Sequence, residues 1–472
     1  MNKIKWLWTM KKPQVPLAQE LHFLSIPMMC ENLGIEMDLP IKHVDGDIYF
    51  GQKEVKFIFE QIRKKVVEDN NYPDLVQKKM EEDIQLLKNT ITKLEKINLI
   101  GLSTKQILEY FKEGYLAIAK VTAYMSFKGT VQMSDVLEER IKQVLQIRIK
   151  NNEELTNVAL LFSMPKKETF MVLEQKSILK IGIAYQQHKE IENLLLNHTK
   201  NFGWIGCVMF SGQPYSIDYF KKELQTILKD DCSKRLLEIE TKKKERNEKI
   251  KTLITSLLLN KEEQKLLTQF RSWSHYRTYV KDMTSLGMVP LLPLLQELAN
   301  RVQVSYNDLL YLGYSELMQV YEKKKELIFE SKLRQKGWGV IMLENSIQYY
   351  NYNNIQKIKE DEEKIPSGIK GSSACKGYVQ GLARIIISVE DLDSLKKGDI
   401  LITSMTTTNF VPFLSKVSAI VTDEGGITCH AAIISRELNI PCIIGTRFAT
   451  KAFRNGELIE VDANKGIVKK IK

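Results

Sequence analysis

The sequence predicts a multidomain chain of α and α/β type, a large helical body followed by a compact domain of mixed strands and helices. Three observations carry this. The chain has 472 residues, more than one ordinary core organises. From about Ile48 to Tyr352 apolar residues recur at three- and four-residue spacings, as in Leu87, Ile91, Leu94. Beyond Pro366 short β-branched runs bounded by glycine replace that pattern.

Residues 1–47, with Trp6, Trp8, Pro13, Pro16, Pro27 and Pro40, read as an irregular segment packing on the body. Residues 48–356 read as the helical domain, interrupted at Gly101, Gly129, Gly203 to Gly212 and Gly287. The run Lys357 to Lys364, then Pro366 and Gly368, has the polarity of an exposed connection, so 357–368 is the expected linker. In 369–472 the runs Arg384–Ile387, Asp399–Thr403, Ala419–Thr422, Pro441–Ile444 and Leu458–Val461 predict strands.

A 43% hydrophobic and 27% charged composition is that of a globular protein. The longest apolar runs fall short of the ~20 residues that span a bilayer, and the first sixteen residues lack the apolar core of a signal peptide. Cytoplasmic residence is therefore the expectation, with no membrane partner. The net charge of +11 permits anionic partners. The lysine clusters alternate with glutamates as solvated helix faces do, however, and no nucleic-acid motif accompanies them. Six scattered cysteines without a CxxC pair indicate neither a disulfide framework nor a metal site.

The densest chemical signal is Thr422–Glu437. A buried strand ends near Thr422, Gly425 and Gly426 turn the backbone, and Ala431, Ile434 and Leu438 mark one face of a helix that stops before Asn439 and Pro441. His430 therefore stands at a helix N-terminus. A neutral imidazole keeps a lone pair for attack, and the unpaired N–H groups of a first helical turn favour an anion attached there. Gly425 and Gly426 leave room for phosphate oxygens, and the Thr428 hydroxyl lies two positions away. On the residues alone two readings stand: a nucleophile, or a helix-start histidine with a satisfied ring.

Residues 371–472 resemble the swivelling phosphohistidine domain, of β/β/α type, of the phosphoenolpyruvate-utilising enzymes of the synthase, dikinase and rifampin phosphotransferase kind. The resemblance runs through Gly371–Gly381 with Arg384, Gly398–Leu401, Met405-Thr406, Ala419–Glu437, Ile440-Pro441, Gly445-Thr446 and Val461-Asp462. It implies that His430 is transiently phosphorylated, that Thr428 and Cys429 are the signature positions before it, and that Asp423, Gly425 and Gly426 belong to the phosphate loop. Ser404, Thr408 and Asn409 depart from the family, which tends to carry proline, proline and aspartate there.

In that family an ATP-grasp domain charges the histidine. Nothing before residue 370 reads as one, and no phosphoenolpyruvate-binding barrel follows the histidine domain in the chain. The resemblance thus implies a transferase of phosphorus-containing groups, incomplete alone, with ATP and Mg2+ arriving through a separate ATP-grasp partner and a small molecule as acceptor. The alternative is a non-catalytic regulatory or scaffold protein that retains the domain. Phe270–Arg277, Tyr306–Leu312 and Ser315–Leu317 resemble, more weakly, the region joining the ATP-grasp and histidine domains. Trp273, His275, Tyr276 and Arg277 are then either an acceptor pocket or amphipathic helix packing. Metal ligands are not expected in this chain.

Overall fold

The computed structural model describes residues 4, 6–11, 15–125, 129–207, 210, 212–344, 346–359, 368–387, 389–406, 410–414, 416–426 and 429–471. The chain forms two compact units, one of residues 1–14, 39–54 and 336–472, the other of residues 15–38 and 55–335.

The second unit is helical. Its axis is the helix Thr104–Met125, which packs on Pro16–Asn32, Tyr72–Leu94, Lys261–Met288 and Leu291–Val302. Buried apolar residues lie all around that axis, Ile107, Leu108, Ala117 and Ala123 among them, as on a helix packed by neighbours on several sides. Gly114 and Gly287 let the helices approach. A Cβ at Gly114 would stand 2.5 Å from Leu291 Cδ2, and one at Gly287 2.9 Å from Ile118 Cγ1. Gly287 also stands one residue before the end of Lys261–Met288, at the interruption the sequence suggests ahead of the next helix, Leu291–Val302. That helix begins with a capping box, Asn260 Oδ1 accepting from Glu263 N at 3.0 Å and Glu263 Oε2 from Asn260 N at 2.9 Å. His198, which has no motif around it, is buried between helices, its Nδ1 2.9 Å from Ser177 Oγ and its Nε2 3.2 Å from Glu174 Oε1.

Residues 1–47 are more ordered than their composition suggests. Pro16–Asn32 is a helix of the helical unit, and Tyr115 Oη donates to Leu17 O at 2.6 Å. The flanking stretches are strands of the first unit: β1 (Trp6–Lys11), β2 (Ile41–Val44) and β3 (Asp47–Gly51). They join β4 (Gly339–Leu343) and β5 (Ser346–Tyr350) in an antiparallel sheet of order β1-β3-β2-β4-β5. Asp45 and Gly46, at φ 47° and 92°, make the two-residue hairpin turn whose backbone twist matches its strands. The helical pattern therefore gives way before Tyr352: β4 is a strand because β2 supplies a hydrogen-bonding edge from nearly three hundred residues away, and β5 pairs with β4 in turn. Of the charged run, residues 360–367 lie outside the described residues.

The rest of the first unit is built on eight strands: β6 (Gly368–Lys370), β7 (Ser372–Cys375), β8 (Tyr378–Ile385), β9 (Ile400–Thr403), β10 (Ala419–Thr422), β11 (Cys442–Ile444), β12 (Leu458–Asp462) and β13 (Ile467–Lys470). Their order is β6-β13-β12-β8-β9-β10-β11-β7. The centre, β8 to β11, is parallel. The outermost strands β6 and β7 are separated in sequence only by Gly371, so the sheet curls until its two ends nearly meet. Strand alternation then serves two cores. Ile400, Ile402, Ala419, Val421 and Ile443 face Ile459, Val461 and Val468. Leu401, Ile420, Cys442 and Ile444 face the helices Val411–Leu414 and His430–Leu438. Parallel strands covered on both sides read as continuous apolar runs, as these do. Among the described residues no helix is long and apolar enough to cross a membrane. All six cysteines are free.

Candidate functional site

The parallel strands end together, β9 at Thr403, β10 at Thr422 and β11 at Ile444, and the loops that leave them meet at their carboxyl edge. Open α/β sheets place ligands at such an edge. The loops are tied there by their backbones: Asp423 N donates to Thr403 O at 3.1 Å, Glu424 N to Ser404 O at 2.9 Å and Thr446 N to Thr422 O at 3.0 Å. Ser404, one of the departures from the family pattern, is thus a buried backbone anchor, while Thr408 and Asn409 lie outside the described residues.

His430 opens a nine-residue helix that rises from this edge. Cys429 is its N-cap, in extended conformation, and Cys429 Sγ accepts from Ala432 N at 3.4 Å. Ala431 and Ala432 are buried against the sheet with Ile434 partly so, whereas Leu438 is 45% exposed and leaves the apolar face that spacing assigned to it. The helix ends where a left-handed residue takes over, Asn439 at φ 53°. Arg436 is used structurally: its Nε donates to Ala374 O on β7 at 2.7 Å. Thr428 and the side chain of His430 lie outside the described residues.

Gly425 adopts φ 131°, a conformation that side chains rarely tolerate, and a Cβ there would also stand 2.7 Å from Cys429 Sγ. Gly426 is exposed and open, and its carbonyl accepts from Cys429 N at 2.9 Å, which closes the loop onto the helix start.

Asp423 is the buried anchor of that loop. Its Oδ1 accepts from Thr450 N at 3.0 Å and Thr446 Oγ1 at 3.4 Å, and its Oδ2 accepts from Thr450 Oγ1 at 2.5 Å. Burial pushes its pKa up to about 6, against the pull of the Thr450 hydrogen bonds. The sequence reading put Asp423 in the loop but missed Thr450, whose only mark is its place as the second residue of the short helix Ala449–Ala452.

Two outcomes are expected here. Asp423→Ala strands the Thr450 N–H and costs about 2 to 3 kcal/mol in urea unfolding, whereas Asp423→Asn, which can still accept from that N–H, costs about 1. The second concerns pH. A carboxyl whose folded pKa of about 6 exceeds its unfolded value of about 3.9 binds more protons when folded, so stability falls as pH rises from about 4 through 6. That contribution to the slope vanishes in Asp423→Asn, which paired melting curves at pH 4 and 7 measure.

The four aromatic and basic residues of the helical unit are engaged by different neighbours. Trp273 is 1% exposed in the core, and Tyr276, also buried, donates its hydroxyl to Glu81. His275 stacks on Tyr279 at 5.0 Å, and Arg277 faces Asp135 at 3.7 Å. Among the described residues no group of three or more His, Cys, Asp or Glu is placed to hold a metal ion.

This strand-loop-helix arrangement, with a histidine first in its helix, lies within a stretch that matches a known family. Residues 395–466 match the family described as PEP-utilising enzyme, mobile domain. The chain is 45% identical over 116 residues to a probable phosphoenolpyruvate synthase of Archaeoglobus fulgidus, covering 23% of this chain and 15% of that protein. It is 47% identical over 100 residues to a probable phosphoenolpyruvate synthase of Methanothermobacter thermautotrophicus, covering 21% and 15%. The chain thus spans about 15% of the length of these curated relatives. Among solved structures, aconitase X of Thermococcus kodakaraensis in its holo-form aligns at 19% identity and a TM-score of 0.18, over 22% of this chain and 98% of that one.

Proposed function

We propose that this chain is a phosphoryl carrier: His430 accepts a phosphoryl group from a nucleotide-charged ATP-grasp partner and passes it to a small-molecule acceptor. The observation that carries the reading is the intact Thr428-Cys429-His430 segment, inside the mobile-domain match, with the histidine as the first residue of its helix at the carboxyl edge of the parallel strands. In the first step a ring nitrogen lone pair attacks phosphorus, a P–N bond forms, and the P–O bond to the departing nucleotide breaks. In the second an acceptor oxygen attacks, the P–N bond breaks, and the acceptor hydroxyl proton passes to a neighbouring base or to water. The chain's own contribution is position and charge. The first-turn N–H groups and the positive end of the helix favour the phosphoryl anion by about 0.3–1 kcal/mol, and Gly425 and Gly426 keep side chains out of its path. Mg2+ and ATP belong to the partner's nucleotide site, where the metal neutralises phosphate charge. The nucleotide site is assigned to a partner because residues 48–356 are read as a helical domain and not as an ATP-grasp domain.

The test is incubation of the full chain with an ATP-grasp domain protein and phosphorus-labelled ATP. The expected result is one acid-labile, alkali-stable label per chain, mapped to the peptide carrying His430. Label on another residue, or none with any ATP-grasp partner, overturns the reading.

A further inference from the structure

In the helical unit, the loop after the helix Asn152–Ser163 crosses the helix Lys261–Met288 at a place where positive charge is left over. Arg271 donates its Nε to Met164 O at 3.0 Å, but its Nη2 is buried with no hydrogen-bond partner among the described residues. One turn on, on the same helix face, His275 is 6% exposed and its Nδ1 is likewise unpartnered. Arg246 reaches the same place from the helix Cys232–Ser256, its Nε buried and unpartnered. Burial holds both guanidinium groups below their ordinary range, and Arg246 depresses Arg271 further. Burial and nearby Lys167 push His275 down to about 4, so the ring is neutral near pH 7.

The carboxylates nearby are already engaged. Glu168 lies 2.9 Å from Lys243 and 3.4 Å from Lys176, and Glu240 lies 3.2 Å from Lys176. Among the described residues five cations, Lys167, Lys176, Lys243, Arg246 and Arg271, thus face the two carboxylates Glu168 and Glu240, a surplus of three. Two repelling arginines with buried, unmade hydrogen bonds are a cost that helix packing does not need. Guanidinium forks match the oxygens of phosphate and carboxylate, and a surplus of three suits a multiply charged anion. Beside the cluster Tyr279 stacks between His275, at 5.0 Å, and Phe170, at 5.6 Å, an aromatic wall for the body of an organic molecule.

We propose that Arg246 and Arg271, with His275 beside them, bind the phosphate group of a small molecule. That the molecule is the acceptor in its phosphorylated form rests on the carrier function above; the affinity for phosphate does not.

Calorimetric titration of the full chain with inorganic phosphate, and separately with acetate, tests the site. Phosphate is expected to bind at least tenfold more weakly to Arg246→Gln and to Arg271→Gln, and unchanged to Arg277→Gln and His430→Ala. Because Glu168, the carboxylate beside Arg246, is already shared by Lys176 and Lys243, Arg246→Met should melt no lower than wild type in phosphate-free buffer, and phosphate should raise the Tm of wild type but not of this variant. The proposal is overturned if wild type binds no phosphate, if Arg246→Gln binds it as wild type does, or if Arg246→Met melts lower without phosphate. Acetate binding as tightly as phosphate overturns the choice of phosphate. Loss of the His430 label with phosphate binding intact defeats the carrier function only, and the converse result defeats this site only.

Discussion

The His430→Gln chain is expected to take up no acid-labile label, a loss of at least about a thousandfold in phosphoryl transfer, with its melting curve close to wild type. The two halves of this result have separate causes. Glutamine has no nitrogen lone pair able to form the P–N bond, because its amide nitrogen is delocalised into the carbonyl, so the covalent step is removed and not merely slowed. Stability, in contrast, depends at this position on the backbone. Residue 430 is the first of its helix, glutamine is a good helix former, and the fixed points of the segment are Cys429 at the N-cap and the buried pair Ala431 and Ala432. A substitution that leaves those fixed points in place moves stability by about 0.5 kcal/mol or less. Cys429 offers the complementary experiment. If it serves only as the cap, Cys429→Ser supplies a better acceptor to Ala432 N and leaves labelling intact, while Cys429→Ala loses about 1 kcal/mol. Labelling lost in Cys429→Ser with an unchanged melting curve would give the thiol a chemical part.

The features legible in the sequence were those fixed by neighbours along the chain. The β-branched runs at 400–403, 419–422 and 442–444 are strands because each residue is buried on one side of the sheet or the other, a local signal. The helix at 430–438 was bounded by an equally local device, the left-handed Asn439. What the sequence concealed depends on distant partners. Ser372–Cys375 is short and polar for a strand and exists because β11 offers it an edge, and 339–343 is a strand because β2 does. Asp45-Gly46 was a readable hairpin signal that the proline-rich surroundings obscured. Gly287 marked the end of its helix but could not disclose that Ile118 and Leu87 press against it. For the same reason Trp273 to Arg277 suggested a pocket, whereas the cationic cluster joins Arg246 to Arg271 and His275 across two helices, with no spacing to announce it.

Gly371→Val is expected to destabilise the eight-stranded part by more than about 3 kcal/mol, enough to abolish cooperative unfolding of that part and, with it, histidine labelling. Gly371 joins β6 to β7, the two strands that bring the ends of the sheet together, and its N donates to Gly466 O at 2.9 Å. A Cβ at that point would stand 2.6 Å from Ile444 O, 2.7 Å from Ile443 Cγ2 and 2.9 Å from Thr446 Cγ2. The first of these is backbone at the end of β11 and cannot swing aside as a flexible side chain would. Relief therefore requires β7 to separate from β11, and β11 leads directly into the loop that carries Thr446, the partner of Asp423. Gly398 is the control. Its φ of 93° also disfavours a side chain, but a Cβ there would meet nothing within 4 Å, so Gly398→Ala pays only backbone strain of about 1–3 kcal/mol and keeps the sheet closed. Urea unfolding of the two variants side by side separates crowding from strain. If Gly371→Val unfolds at the same urea concentration as Gly398→Ala, the ends of the sheet do not meet tightly at residue 371, and the loop at the carboxyl edge of β11 must owe its position to Asp423 and Thr450 alone.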